Sequence, residues 1–253
     1  MLPLADRIAI WGGLAIITLL SWLYLIRMPA MPGMAMSMPG MPGMAMPQTP
    51  AWDPTSLAMT FLMWTVMMVA MMIPSASPMI TIYARSLRAR GAQYALPVAG
   101  FVLGYIVAWT VFSAVATIAQ AFLRSEALLS DDLRIGPLFG GIVLVATGLY
   151  QVSPLKGACL RHCRSPIGFL MSYWRDGALG AATMGLRHGL YCVGCCWLLM
   201  VLLFVAGVMN LFWIAVITFF VLIEKAVPGG RIIAAASGVV IIAIGIWMVT
   251  VAV

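Results

Sequence analysis

The sequence predicts an all-α protein, a polytopic transmembrane helix bundle that forms a single domain over residues 1–253. Three observations predict it. Hydrophobic residues make up 64% of the chain and charged residues only 8%, whereas a soluble domain is about one quarter charged, and the mean hydropathy is +1.07. The apolar residues gather into runs close to the roughly 20 residues that cross a hydrocarbon layer. The Lys and Arg residues fall mainly on one side of those runs.

The runs are placed from the charges, Pro and Gly between them. The first, 8–26, lies between Arg7 and Arg27; without an Ala-x-Ala cleavage site it reads as a retained helix, not a removed signal peptide. The second, 57–83, ends before Arg85, Arg88 and Arg90, and Pro74 and Pro78 should kink its inner end and free backbone carbonyls there. The third, 96–123, stops at Arg124, and the fourth, 136–153, lies between Arg134 and Lys156. The fifth, 191–209, follows Arg187, the sixth, 211–223, precedes Lys225, and the seventh, 232–253, follows Arg231. That makes about seven spans; the short sixth run could instead pair with the fifth as a re-entrant hairpin through Asn210, which would leave six spans plus that pair. With the N-terminus inside, eleven Lys and Arg lie on the inner side and three, Arg27, Arg124 and Arg134, on the outer side. This bias accounts for the net charge of +7 without a nucleic-acid partner. It places the chain in a bacterial inner (plasma) membrane, multi-pass, with a cytoplasmic N-terminus and the lipid bilayer as its main surroundings.

On this topology residues 27–56 form an outer loop rich in Met, Pro and Gly. Within it, MPGMAMSMPGMPGMAM repeats MPGMAM at a ten-residue interval and holds seven Met among sixteen uncharged residues. Met31, Met34, Met36, Met41, Met44 and Met46 are candidate ligands, because thioether sulfur prefers Cu(I) or Ag(I) to hard cations and a flexible chain can bring several sulfurs to one ion. The alternative is a low-complexity linker.

The second run continues the pattern. Met59, Met63, Met67 and Met71 recur every four residues, with Met68 and Met72 in a neighbouring row, so a helix would carry a ladder of sulfurs on one face. Flexible core filling is the plain alternative.

The cysteines form two groups. Cys159 and Cys163 flank His162, a further candidate ligand, and Cys192, Cys195 and Cys196 follow His188 in HGLYCVGCCW. The spacing puts the sulfurs of each group on one helical face. Both groups fall at the inner side, where thiols stay reduced, which favours a metal or redox site over structural disulfides. Converging thiolates suit Cu(I) or Zn(II). The segment 155–190, an inner connection containing Cys159 and Cys163, would have to bring the groups together. Its Gly177, Ala181, Gly185 and Gly189 place small side chains every four residues, a pattern that lets helices approach closely. Glu224 and Lys225 could neutralise each other or the metal site, or anchor the chain at the membrane surface. Neither His sits with an acid or nucleophile in a catalytic spacing, so no catalytic residue is assigned.

The stretches MMVAMMIPS (67–75), GLYQVSPLKGACLRHCRSP (148–166), GLYCVGCCWLLMVLLFVAGVMNLFW (189–213) and EKAVPGG (224–230) resemble an uncharacterised bacterial family of predicted metal-binding integral membrane proteins. The resemblance implies that Met67, Met68, Met71, Met72, the five cysteines, Glu224 and Lys225 belong to the family pattern. It does not extend to the repeated Met loop. The expected function is soft-metal handling, with Met residues delivering Cu(I) to inner thiolates by transport or by transfer to a metallochaperone or membrane partner. A delivery factor for a membrane enzyme and a membrane thiol–disulfide oxidoreductase are the alternatives.

Overall fold

The computed structural model describes residues 4–28, 52–130 and 133–252, and every regular element among them is a helix. The methionine loop, with Met31, Met34, Met36, Met41, Met44 and Met46, lies outside the described residues. The helices are α1 (Leu4–Arg27), α2 (Pro54–Ala89), α3 (Ala95–Ser125), α4 (Pro137–Val152), α5 (Pro154–Arg164), α6 (Pro166–Tyr173), α7 (Gly177–Val201), the single turn α8 (Leu203–Ala206), α9 (Leu211–Ala226) and α10 (Gly230–Ala252).

Local chemistry sets the boundaries. Asp53 caps α2 by accepting from the Ser56 N–H at 3.1 Å, and Pro54 sits in the first turn, where a missing N–H is harmless. Between α4 and α5, Ser153 ends one helix and caps the next through the Lys156 N–H (3.2 Å), while Pro154 prevents continuation. The chain bends there by 62°. Asn210 caps α9, and Val227-Pro228-Gly229 separates it from α10.

Five helices are long and apolar enough to cross a membrane, or six if the bent α4–α5 pair counts as one span. The count of seven is not reached by length and composition, because α4 and α9 have only sixteen residues each. The fifth run also begins earlier than its hydropathy suggests, at Gly177 instead of 191. Arg187 and His188 mark a boundary in the sequence, yet both are helical: Arg187 reaches out over the Tyr173 ring at 4.5 Å, and His188 is enclosed by Phe101, Tyr105 and Phe169.

Packing follows small residues. α3 lies along α7, α4 along α10, and α2 against α1, α3 and α9. A Cβ at Gly104 would strike the Ala182 carbonyl of α7, and one at Gly185 would strike the Phe101 carbonyl of α3. The backbones therefore touch without side chains between them. Gly148 and Gly238 play the same part for α4 and α10, where a Cβ on Gly148 would lie 2.6 Å from the Gly238 carbonyl oxygen. The opposite face of α3 presents Leu103, Val107, Val111, Val115 and Ile118 outward, all more than half exposed. Gly185→Ala is expected to lower stability by roughly 1–3 kcal/mol through overpacking, read as a reduced thermal midpoint of the purified protein; an unchanged midpoint would mean that the two backbones are not in contact.

At one end of the bundle Asp6 ties α1 to the α2–α3 connection. Its carboxylate meets the Arg88 guanidinium at 2.6 Å and accepts from the Tyr94 hydroxyl at 2.7 Å. Further along α2, the Trp64 indole N–H donates to Gln120 Oε1 of α3 at 2.7 Å.

Candidate metal centre

The site is built on α7. Cys192, Cys195 and Cys196 have the i, i+3, i+4 spacing of one helical face, and all three are buried. Their sulfurs lie within 4.8 Å of one another. The Cys195 and Cys196 thiols donate to the Cys192 carbonyl at 3.1 and 2.9 Å, which holds both sulfurs on that face. α5 closes the site from the other side, with Cys163 Sγ 4.0 Å from Cys195 Sγ. Cys159 packs where α7 has Gly194, since a Cβ there would come within 2.9 Å of its sulfur. The Tyr150 hydroxyl donates to the Gly194 carbonyl and secures the same crossing. The two sequence groups therefore meet, and all five cysteines are free thiols.

Two polar side chains, Lys225 and Tyr105, meet the Cys192 sulfur. The Lys225 ammonium, from the last turn of α9, donates to Cys192 Sγ at 2.8 Å and to Ser75 Oγ of α2 at 3.1 Å. The Tyr105 hydroxyl of α3 lies 3.0 Å from Cys192 Sγ and 3.1 Å from the Met72 carbonyl oxygen. Its single proton serves one of these acceptors at a time. Ser75 also donates to the Met72 carbonyl at 2.9 Å. A cation and a hydroxyl beside the sulfur are the partners a buried thiolate, or a thiolate–metal complex, requires.

The methionines of α2 are progressively buried along the helix. Met59 is 48% exposed and Met63 only 5%, while Met67, Met68, Met71 and Met72 are fully buried. The Met72 backbone carbonyl, and not its sulfur, shares the Tyr105 hydroxyl with Cys192. Pro74 and Pro78 follow, and the Ser77 hydroxyl donates to the Pro74 carbonyl that Pro78 leaves without its helical N–H partner.

His162 is not a member of the close group of Cys192, Cys195 and Cys196. Its ring stacks on Tyr191 with centroids 4.2 Å apart, and Nδ1 donates to the Ala158 carbonyl at 3.0 Å. His188 is buried in an aromatic enclosure, and its Nδ1 has no hydrogen-bond partner among the described residues.

Glu224 and Lys225 point to different partners, although they are adjacent. Lys225 serves the thiol site. Glu224 forms an ion pair with Lys156 of α5 at 2.8 Å, with the two side chains 2% and 1% exposed. Gln151 of α4 accepts from Lys156 and donates to Glu224 (3.1 Å) and to Ser237 of α10 (3.2 Å). Neither residue is a surface anchor, and the Lys156 partner was not evident from sequence because it lies 68 residues away in a basic segment. Ser75, Tyr105 and Gly194 were also missed. Their only sequence signal is a polar or very small residue inside an apolar run.

The residues 61–248 match the family model PpoB2, described as a copper chaperone. The chain belongs to this copper chaperone family. No curated protein and no solved structure matches it. The PpoB2 match takes in every cysteine and the ladder from Met63 to Met72, and begins after the methionine loop. The thiol cluster is a soft-donor set that suits Cu(I) or Zn(II) over hard cations.

Proposed function

We propose that the protein is a membrane-embedded copper chaperone that receives Cu(I) along the α2 methionines and holds it at Cys192, Cys195 and Cys196 for transfer to a partner. The observation that carries this reading is the buried trio of thiols with sulfurs within 4.8 Å, in a chain of a copper chaperone family. The apolar outward face of α3 and the five long apolar helices support insertion in a bilayer. Charge asymmetry orients the bundle with its N-terminus in the cytoplasm of a bacterial cell. Met31 to Met46 would then collect the ion outside, and Cys163 and Cys159, on the adjoining helix, would take it onward. The sequence contains no Gly-x-x-x-x-Gly-Lys-Ser/Thr motif, so movement of the ion follows relative affinity and a partner's demand.

Elemental analysis of the full-length protein purified in detergent after copper-replete growth tests this. About one copper per chain is expected, with loading reduced at limiting copper when residues 31–46 are deleted. Zinc or iron in its place would overturn the copper assignment. The 4.0 Å approach of Cys163 and Cys195 favours a second reading, thiol–disulfide exchange with a dithiol partner. Protein free of metal, with a disulfide that forms and reopens on alkylation trapping, would establish that reading.

A further inference from the structure

α5 has two working faces. One carries Cys159 and Cys163 towards α7; the other, with Leu160, Arg161 and Arg164, lines a cavity of about 630 Å³ shared with α6 and the start of α10. This volume lies within the range of small-molecule sites. Three guanidinium groups surround it, Arg161 and Arg164 from α5 and Arg231 from α10, together with the hydroxyls of Ser165 and Ser172. No carboxylate lines it among the described residues. The ion pairs among the described residues are Arg88–Asp6 and Lys156–Glu224, so these three arginines pair with no acid there. Arg164 is held in place by donating to the Val227 carbonyl at 2.6 Å.

An inner-side excess of arginine needs only scattered surface charges. Here the charges come from two helices distant in sequence and meet over an apolar floor of Leu160 and Phe169, both buried. Beside the cavity, Ile167, Met171 and Ile232 are 64%, 81% and 74% exposed. Guanidinium recognises phosphate oxygens in a bidentate manner, and a basic pocket between helices at the cytoplasmic side is the arrangement that takes lipid head groups. Exposed apolar side chains next to it are positioned for acyl chains.

We propose that the Arg161–Arg164–Arg231 cavity binds the phosphate of an anionic phospholipid. The group chemistry alone would also suit free phosphate; the neighbouring apolar residues favour the lipid. A lipid there seats α5 from behind, on the face opposite Cys159 and Cys163, so the bilayer's composition bears on how the thiols are presented. This inference rests on the membrane orientation proposed above and is independent of the metal that the thiols carry.

Native mass spectrometry of the delipidated full-length protein, titrated with phosphatidylglycerol, phosphatidylcholine or inorganic phosphate, tests it. One tightly held phosphatidylglycerol per chain is expected, with weaker phosphatidylcholine binding and no displacement by millimolar inorganic phosphate. The Arg161→Gln/Arg231→Gln variant is expected to bind phosphatidylglycerol about thirtyfold more weakly, from two surface charges. Both residues are exposed and the Arg164–Val227 bond remains, so the variant keeps its fold, checked by its thermal midpoint without lipid. Equal binding of the two lipids, or unchanged binding by the variant, would overturn the proposal. Displacement by inorganic phosphate would overturn the lipid assignment and leave a free-anion site.

Discussion

Lys156→Met is expected to destabilise the protein by about 3–5 kcal/mol, because it leaves Glu224 as an uncompensated charge in a site 2% exposed. The pair closes a network that joins four helices, α4 through Gln151, α5 through Lys156, α9 through Glu224 and α10 through Ser237. Every member is satisfied, so losing one partner strands the rest. The double variant Lys156→Met/Glu224→Leu is expected to recover most of the loss, since a buried ion pair replaced by apolar groups of similar size is often neutral. Thermal or denaturant midpoints in detergent measure both. If the single and double variants lose equal stability, packing and not charge is the cause. A specific side effect is also expected. Because the pair pins α5, the single variant should expose Cys159 and Cys163 to alkylation faster than the wild type.

Cys192→Ser is expected to lower copper affinity at least about 100-fold, since loss of a direct ligand should exceed the 10–100-fold typical of outer-shell changes. Serine is close in size and accepts the same hydrogen bonds from Lys225 and Tyr105, so the fold is expected to persist with an unchanged thermal midpoint. Competition against a Cu(I) chelator gives the affinity. Cys192 is singled out because it alone among the α7 thiols contacts Lys225 and Tyr105, and its carbonyl also positions the other two sulfurs. Retention of wild-type affinity would move the centre to Cys195, Cys196 and Cys163.

Much of this architecture was legible from the chain. Period-four methionines and the i, i+3, i+4 cysteines each define one face of a helix, and those faces are buried from Met63 onward and at all three α7 cysteines, while Met59 is exposed. The convergence of the two cysteine groups was not legible, because it depends on a 62° bend at Ser153-Pro154 that turns α5 back onto α7. Helix boundaries failed at Arg187 and His188, where hydropathy drops but tertiary contacts carry the helix through. Lys225 was visible as a charge at a span end. Its choice of Cys192 over Glu224 was decided by which way adjacent helical residues point, about 100° apart, and by a lysine far away in sequence. The small residues of α7 announced a close contact, while the identity of α3 as the partner came only from the matching Gly104.

The exposure of the α2 methionines falls from 48% at Met59 to 5% at Met63 and to nothing at Met67. If Cu(I) follows them as proposed, it would exchange water for sulfur along the way. For a small divalent cation that exchange is a steep loss, since it surrenders its hydration shell reluctantly and gains only poor ligands. A large, weakly hydrated monovalent ion meets almost no barrier. On the proposed path, selection would then fall near Met63, before a competitor reached a thiol, and Cys192 would be spared the task of telling one metal from another.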